Sequence, residues 1–261
     1  MMIDINQGDS PLILAQPHGG TEVPESIWPR LNETGQALAD PDWHISKLYA
    51  GLLDDVTSVS TRIHRYVIDA NRNPSDESLY PGQNTTGLCP TTTFDGIPIY
   101  KEGESPSPEE VNERQQQYHQ PYHDALRNEI ERIKQKHGYV ILYDCHSIRS
   151  NIPYLFEGRL PDFNIGTVNG TSCDPSIENN VLVECQKADL YSNIINGRFK
   201  GGWTTRHYGI PAENYHAIQM ELTQSTYMQE FEPWDYDPDK ASKIRPVLAS
   251  ILKSLLNALP S

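Results

Sequence analysis

Polar side chains suited to binding metals and anions follow three short apolar runs in the sequence. His18 comes after LILA in LILAQPHGGTE, and His146 comes after YVILY in YVILYDCHSIRS. Asn71 and Arg72 come after VI in VIDANRNP. In open α/β sheets, ligands bind at the carboxyl ends of the strands, where loops bring such side chains together. The placement of the three clusters therefore predicts a single polar site at one edge of a sheet.

His18 and His146 are the first candidate metal ligands. One histidine at a strand end is more often a hydrogen-bonded structural residue, but two at equivalent strand ends, with acidic residues close by, favour a metal site. A catalytic zinc needs three protein ligands and an open position for water. The residues leave the third ligand open between Asp42 in ADPDWH and Glu22 in HGGTE. Asp42 also suits a helix N-cap, and Glu22 also suits a solvated loop.

Glu221 lies inside the apolar run AIQMELTQ, between Met220 and Leu222. A carboxylate on a buried strand is costly unless it is paired or does chemical work. Beside a metal, it can take a proton from water and later pass it to a leaving amine. Simple alternation, with Gln219, Glu221 and Thr223 on one polar face of a half-exposed strand, explains this residue equally well. Both interpretations remain open at this point.

Arg72, Arg149 and Arg206 stand in segments without obvious acidic helix partners. Arginine presents a planar fork that suits bidentate recognition of carboxylates. A single such arginine is usually half of a surface ion pair. Three of them in candidate site loops of an acidic protein indicate an anionic substrate.

Other catalytic motifs are incomplete or absent. The HQPYH segment at His119 and His123 resembles the zinc motif HExxH, but Gln120 replaces the glutamate and Pro121 interrupts the helix. We interpret these two histidines as helix-start or supporting residues. Cys145 lies on the opposite strand face from its neighbour His146, which argues against a thiol mechanism. The sequence contains no GxSxG, P-loop or GxGxxG motif.

The hydrophobic pattern predicts the elements that position these residues. Strands alternating with helices favour an α/β fold with a largely parallel or mixed sheet, and the absence of linkers and repeats predicts a single domain over residues 1–261. The predicted strands are Leu12–Ala15, Val67–Ile68, Tyr139–Tyr143 and Ala217–Leu222. The predicted helices are Asp42–Asp55, Ser107–His137 (broken or restarted at Pro121 and stopped by Gly138) and Pro238–Leu259 (kinked at Pro246).

Composition excludes several classes of function. No apolar run approaches the roughly 20 residues that a membrane helix needs. The 35 acidic and 21 basic side chains give a formal net charge of −14, which argues against nucleic acid or an anionic membrane as partner. Four cysteines without CxxC spacing, and a first segment unlike a signal peptide, predict a cytoplasmic protein.

Several long motifs, in the same order, resemble the N-formylglutamate amidohydrolase (deformylase) family. They span Pro11 to Met228 and are PHGGTEVP, DPDWHISKLYA, DANRNP, YHQPYHDAL, DCHSIRS, FEGRLPDFNIGTVNGTSCDP, GGWTTRHYG and HAIQMELTQSTYM. This family is similar in turn to the zinc carboxypeptidase and aspartoacylase group. The resemblance implies a phosphorylase/hydrolase-like α/β fold with a mixed central sheet flanked by helices. It also implies hydrolysis of N-formyl-L-glutamate to formate and L-glutamate in histidine degradation.

The resemblance also implies roles for individual residues. His18 and His146 would bind a divalent metal, zinc above all, and Glu221 would be the general base. Asn71 with Arg72 would bind one carboxylate of a small anionic substrate. From their own sequence contexts, we expect either Arg149 or Arg206 to hold the other carboxylate or the developing oxyanion.

Two positions depart from the pattern of the related carboxypeptidases. Those enzymes use HxxE, whereas Thr21 stands at that fourth position here and Glu22 comes one residue later. We therefore expect Asp42 to be the third ligand, because the deformylase pattern carries an acidic residue at this place in DPDWH. Ser46 stands where the related WHVDRLY pattern has an acidic residue, so we expect no role for it.

Two rival functions remain in view. The first is an amidohydrolase for another N-acyl amino acid. The second is a catalytically inactive anion-binding module, since a fold alone does not imply an activity. The complete set of candidate ligands, base and arginines favours an enzyme.

Overall fold

A seven-stranded mixed sheet forms the centre of the fold. The computed structural model describes residues 2–77, 82 and 84–258. The strands are β1 (Ile3–Asn6), β2 (Leu12–Gln16), β3 (Thr57–Thr61), β4 (Val140–Ile148), β5 (Phe163–Gly166), β6 (Asn193–Ile195) and β7 (Tyr215–Thr223). Their order in the sheet is β1-β3-β2-β4-β7-β5-β6. The central strands β3, β2, β4 and β7 are parallel, whereas β1 and β5 run antiparallel to β3 and β7.

Helices flank this sheet on both sides. Within the described part of the chain they are α1 (Glu33–Gln36), α2 (Ile45–Tyr49), α3 (Pro108–Arg114), α4 (Gln120–His137), α5 (Pro175–Lys187), α6 (Trp203–Tyr208) and α7 (Pro238–Leu256). A π-helical turn, Gln115–His119, joins α3 to α4. None of the helices in residues 2–77, 82 and 84–258 combines the length and apolar character needed to cross a lipid bilayer.

Alternating side chains of the central strands face two helix layers. Leu12 and Leu14 of β2 belong to one core cluster, together with buried residues of α2, α5 and α7. Ile13 and Ala15 belong to a second cluster, together with buried residues of α4. All residues of β2 and β4 are buried. Strands covered on both faces are continuously apolar, which explains why these runs stand out in the sequence.

Three of the four predicted strands are confirmed. The runs at Leu12–Ala15, Tyr139–Tyr143 and Ala217–Leu222 lie in β2, β4 and β7. Strand β4 extends through Ile148, so that His146 lies within the strand rather than after it. The predicted α/β fold with a mixed sheet is confirmed.

The predicted strand at Val67–Ile68 is wrong. Residues 65–67 form a turn, and residues 68 and 69 have no regular structure. Both side chains are buried in a separate apolar cluster that includes Leu88 and Ile99. They are apolar because they pack against other loop residues, and not because they pair in a sheet.

The predicted residues that begin and end the helices are found in the structure more often than the predicted helix lengths. The helix expected over Asp42–Asp55 is reduced to α2, since the chain leaves the helical conformation at Ala50 and Gly51 has a φ of 68°. Ser107 caps α3 by accepting a hydrogen bond from the backbone N–H of Glu110 at 3.3 Å. Gly138 ends α4 with a left-handed φ of 79°, as predicted.

Two prolines occur within the longer helical segments. Pro121 lies in the first turn of α4, directly after the π-helical turn; the backbone stays in the right-handed helical region throughout, so the predicted break is only a local change to π-helical hydrogen bonding. Pro246 lies inside α7, and a kink at this residue stays a prediction. The predicted end of that helix, Leu259, lies outside the described residues.

Candidate metal and catalytic site

The candidate site lies at the carboxyl ends of β2, β4 and β7. His18 follows β2 by two residues, and its backbone carbonyl accepts a hydrogen bond from the backbone N–H of Asp42 at 2.9 Å. This bond ties the loop before α2 to the end of β2. His146 on β4 lies opposite Glu221 in the parallel register with β7. Neighbouring parallel strands therefore place His146 beside Glu221.

His18, Asp42 and His146 form a buried group that has the geometry to hold a metal ion. Nδ1 of His146 lies 3.1 Å from Oδ2 of Asp42, and Nδ1 of His18 lies 3.8 Å from the same oxygen. One ligand atom from each residue falls within 4.8 Å of the others. Glu22, the alternative third ligand, lies elsewhere and pairs with Arg62 at 3.4 Å on the surface.

Each histidine of this group is backed by a second buried carboxylate. Nε2 of His18 lies 2.7 Å from Oδ1 of Asp69, and Nε2 of His146 lies 3.0 Å from Oδ1 of Asp144. A carboxylate that accepts a hydrogen bond from Nε2 fixes the ring of a metal-binding histidine and keeps the proton on that nitrogen, as Asp69 does for His18. The Nδ1 lone pair of His18 is then available on the side that faces Asp42, and Nδ1 of His146 faces the same carboxylate.

The supporting carboxylates are themselves anchored. Arg65 donates from Nη2 to Oδ2 of Asp69 at 2.5 Å, and Thr205 donates its hydroxyl to Oδ2 of Asp144 at 3.0 Å. Nη1 of Arg65 also lies 3.5 Å from Nδ1 of His18. The positions of the two imidazoles are thus determined by at least two layers of buried polar contacts.

The charge balance around the site fits a bound cation. The carboxyl groups of Asp42, Asp69, Asp144 and Glu221 are all at most 7% exposed. The buried guanidinium of Arg65 offsets the charge of Asp69. Buried charges in proteins are paired with opposite charges or bind metals. A divalent cation at the His18, Asp42 and His146 group would offset the remaining excess of acidic groups.

The pKa values of the two histidines move in opposite directions. Burial and the Arg65 guanidinium lower the pKa of His18, which favours its neutral form. Burial also acts to lower the pKa of His146, but the carboxylates of Asp144 and Asp42 raise it well above its usual value. Metal ligands must be deprotonated, so a cation binding here would displace a proton from His146.

Glu221 has the environment of a general base. Burial raises the pKa of its carboxyl group to about 8, with His146 opposing the increase and Asp42 adding to it. A cation bound nearby would lower this pKa again, because it favours the carboxylate. Gln219 donates from Nε2 to Oε2 of Glu221 at 3.1 Å, and its Oε1 accepts from the backbone N–H of Gly202 at 2.6 Å. This chain of contacts orients the carboxylate.

A cavity opens beside these residues, and three arginines line it. The cavity contains the three candidate ligands and Glu221 among its walls, and its lining arginines are Arg65, Arg72 and Arg198. Asn71 also lines it, with Nδ2 3.0 Å from Nε2 of His146. The side-chain Oδ1 of Asn71 accepts from the backbone N–H of Thr204 at 2.8 Å.

Arg149 and Arg206 are not among the residues that line this cavity. Arg149 follows β4 and pairs with Asp95 at 2.6 Å and with Asp40 at 3.5 Å. Arg206 lies on α6 and donates from Nε to the carbonyl of Gly201 at 3.0 Å. The structure brings Arg72 to the cavity and leaves these two arginines outside its lining.

Sequence reasoning missed residues that the structure places at the site, although some of them carry a signal. Asp144 precedes His146 by two residues, so both side chains share one face of β4. Arg65 and Asp69 are spaced i, i+4 in RYVID. Arg198 carries no comparable signal, because a loop position in sequence does not indicate which cavity it meets.

The turn that carries Asn71 and Arg72 is held by two histidines. Nε2 of His123 donates to the carbonyl of Ala70 at 2.7 Å, and Nε2 of His119 donates to the carbonyl of Arg72 at 3.0 Å. His119 ends the π-helical turn, and such turns are frequent at functional sites. These two histidines therefore support the candidate substrate-binding turn from behind.

The chain resembles known proteins over nearly its full length. The family model of N-formylglutamate amidohydrolase matches residues 10–228. An N-formylglutamate deformylase of Pseudomonas putida is 46% identical over 256 residues, which cover 98% of this chain and 96% of that protein. An N-formylglutamate deformylase of Pseudomonas aeruginosa is 44% identical over 256 residues, with the same shares covered.

Solved structures share the fold. The crystal structure of N-formylglutamate amidohydrolase from Ralstonia eutropha JMP134 matches with a TM-score of 0.80 and 24% identity, and covers 97% of this chain and 96% of that chain. A gene product of Agrobacterium tumefaciens matches with a TM-score of 0.71 and 17% identity, and covers 97% and 94%. At these identities the likeness extends to the fold alone.

Proposed function

The chain belongs to the N-formylglutamate amidohydrolase family, and we propose that it hydrolyses N-formyl-L-glutamate to formate and L-glutamate. The observation that supports this most strongly is the pairing of His146 with Glu221 on neighbouring strands, in the cavity that also contains His18 and Asp42. Hydrolysis of an amide by activated water needs a base next to an electrophilic group. Residues of one cavity would meet both requirements, with Glu221 as the base and with His18, Asp42 and His146 holding an electrophilic cation.

His18, Asp42 and His146 would hold a divalent cation, for which we propose zinc. Two imidazole nitrogens and one carboxylate oxygen form a donor set typical of catalytic zinc sites, which keep one position open. When bound, such a cation supplies Lewis-acid polarisation of the formyl carbonyl and lowers the pKa of water toward about 7. Asp69 and Asp144 would orient the two histidines for this task.

Glu221 is the proposed general base and then the general acid. Its carboxylate takes a proton from the water that attacks the formyl carbon. As the carbon–nitrogen bond breaks, the same proton passes to the nitrogen of L-glutamate, and formate is left as the other product. The hydrogen bond from Gln219 holds the Glu221 carboxyl group in place for both transfers.

Arginines of the cavity would bind the substrate and stabilise developing charge. Arg72, with Asn71 beside it, is the proposed partner of one substrate carboxylate, because its guanidinium can bind such a group in a bidentate manner. Arg65 lies 3.5 Å from His18 and lines the cavity, which suits it to stabilising negative charge on the formyl oxygen. Arg149 and Arg206 have no role in this proposal, since neither lines the cavity.

The proposal includes a cellular role in histidine degradation, in the cytoplasm. This role follows from the family's substrate, and the four cysteines are free thiols, which fits a reducing compartment. The substrate is a small dianion, and neither nucleic acid nor a membrane is expected as a partner of a chain with a net charge of −14.

A panel of substrates tests the proposed reaction. Zinc-loaded protein should release formate from N-formyl-L-glutamate with a kcat/KM at least about 100-fold higher than its kcat/KM for N-formyl-L-aspartate or N-acetyl-L-aspartate. Formate is measured with an enzyme-coupled assay, and acetate by chromatography. A higher rate on N-acetyl-L-aspartate would assign the chain to another N-acyl amino acid. No release from any of the three would favour an inactive binding module.

A further inference from the structure

Arg198 lies in the wall of the cavity, on the segment between β6 and α6. Its Nε donates to the carbonyl of Leu155 at 3.2 Å, and its Nη2 donates to the carbonyl of Asn84 at 3.4 Å. Its guanidinium carbon lies 5.3 Å from the ring centroid of Phe199. Both acceptors are neutral carbonyl groups, and these contacts position the guanidinium.

Arg198 and Arg72 approach the same short segment of the cavity wall. Arg72 donates from Nη2 to the hydroxyl of Thr86 at 3.1 Å, while Arg198 donates to the carbonyl of Asn84. Residues 84–86 all line the cavity. Two guanidinium groups from distant parts of the sequence therefore flank one three-residue stretch.

The two arginines contact different parts of the cavity wall. Arg72 lies next to the buried centre, with Nε 3.7 Å from the carboxylate of Asp69, which in turn contacts His18. Arg198 contacts Leu155 and the partly exposed segment around Asn84. A substrate whose formyl group lies at the metal ligands would have Arg72 beside it, while Arg198 is held at the part of the wall formed by Leu155 and Asn84.

We propose that Arg198 is the residue that selects a substrate with a negatively charged side chain, by binding the side-chain carboxylate while Arg72 binds the α-carboxylate. This inference rests on the proposed function. Glutamate carries its two carboxylates at the ends of a short aliphatic chain, and Leu155 and Phe199 offer apolar surface for that chain in the same cavity. A guanidinium is well suited to bidentate binding of a carboxylate.

The positive charge of Arg198 also counteracts the repulsion between a dianionic substrate and the net negative charge of the protein. The chain has a formal net charge of −14, and a dianionic substrate is repelled by such a field. A second cationic group at the side-chain end of the cavity gives the dianion an advantage over a substrate with a neutral side chain. We therefore assign to Arg198 the selection of substrates by the charge of their side chain, and not only by its length.

N-formyl-L-glutamine is the probe for this assignment, because its side-chain amide has nearly the size of the carboxylate and no charge. In the zinc-loaded wild-type protein we expect kcat/KM for N-formyl-L-glutamate to exceed that for N-formyl-L-glutamine by roughly 100-fold. Arg198→Gln should lower kcat/KM for N-formyl-L-glutamate by about the same factor and leave the value for N-formyl-L-glutamine within about threefold. The preference would then be lost.

Two further variants separate charge recognition from a structural role. Arg198→Lys retains the charge without the planar fork, and should retain part of the preference. Arg159→Gln makes the same change at an exposed arginine outside the cavity lining, and should leave both substrates unaffected. Thermal unfolding of all variants checks that they are folded.

The proposal is overturned if Arg198→Gln lowers kcat/KM equally for both substrates, if it changes neither, or if the wild-type protein accepts both substrates equally. Formate release from neither substrate by the zinc-loaded wild type would instead contradict the proposed function. In that event, binding of both compounds is measured by calorimetry, and the comparison tests the role of Arg198. Loss of preferential binding of N-formyl-L-glutamate in Arg198→Gln supports its role, and unchanged preference overturns it.

Discussion

Asp42 and Glu221 are two buried carboxyl groups whose different surroundings suit them to different tasks. Oδ2 of Asp42 faces Nδ1 of both histidines, at 3.8 Å for His18 and 3.1 Å for His146. Glu221 instead accepts a hydrogen bond from the neutral amide of Gln219, and burial raises its pKa to about 8. Paired titratable groups with such contrasting environments are a mark of divided catalytic roles. We assign Asp42 to the metal and Glu221 to proton transfer.

The role of Glu221 can be tested with a variant of nearly the same shape. Glu221→Gln removes the proton acceptor and should lower kcat by about 10³-fold or more, because a positioned general base contributes on the order of 10²–10⁴. The zinc content should stay at the wild-type level, since the three proposed ligands are retained. Formate release and metal analysis on the same preparation measure the two quantities.

Glu22→Gln is the matched control for that experiment. The side chain of Glu22 is 48% exposed and pairs with Arg62, so this variant should retain both zinc and activity. Wild-type turnover in Glu221→Gln would show that Glu221 is not the general base. Loss of zinc in Glu22→Gln would indicate that Glu22, and not Asp42, is the third ligand.

At the scale of elements, the substrate-binding turn depends on the helical segment behind it. His119 and His123 come from the junction of the π-helical turn with α4, and they bind the carbonyls of Arg72 and Ala70. The rings of the two histidines pack with centroids 4.4 Å apart. The helix junction thus fixes the backbone from which Asn71 and Arg72 project.

His119→Ala should therefore weaken substrate binding more than chemistry. We expect KM for N-formyl-L-glutamate to rise about tenfold, because the lost hydrogen bond leaves the carbonyl of Arg72 without its partner, while kcat stays within about threefold. His119→Gln can place an amide donor near the position of Nε2, and should restore most of the affinity. Steady-state kinetics on the three proteins tests this. A fall in kcat with unchanged KM would contradict a positioning role for His119.

The sequence predicts the elements that build the site better than the loops that complete it. Strands β2 and β4 begin with the continuous apolar runs LILA and VILY, and β7 is buried along nearly its whole length, because helices cover both faces of the sheet. That pattern is enough to bring His18, His146 and Glu221 to one edge of the sheet. Val67 and Ile68 show the limit of this reasoning, since burial within loops produces the same apolar signal as a strand.

The arginines show why loop residues are harder to predict. Arg72 is predicted because it adjoins an apolar run, and the structure places it in the cavity lining. Arg149 has a similar context, but its guanidinium pairs with Asp95, a residue far away in sequence. Arg198 reaches the cavity through a loop whose path depends on contacts with Leu155 and Asn84. Tertiary contacts of this kind leave no periodic pattern in the sequence.

At the scale of the whole molecule, the net charge and the local charge of the cavity have opposite effects on the binding of an anion. The formal charge of −14 opposes the approach of an anion, yet Arg65, Arg72 and Arg198 all line one cavity. Four buried carboxyl groups lie at the candidate site, including that of the candidate ligand Asp42, and they favour a cation there. The acidic composition therefore describes the outer surface and the surroundings of the candidate metal ligands, and we propose that the cavity arginines decide which substrate is accepted.

The central claim is that the His18, Asp42 and His146 group holds a metal on which formate release depends, and joint analysis of metal and activity tests it most directly. Purified wild-type protein should contain about one zinc ion per chain, lose formate release from N-formyl-L-glutamate on chelation, and regain it when zinc is restored. His146→Ala should lose both the metal and the activity. Wild-type activity in metal-free protein, or a full zinc content in His146→Ala, would contradict the account.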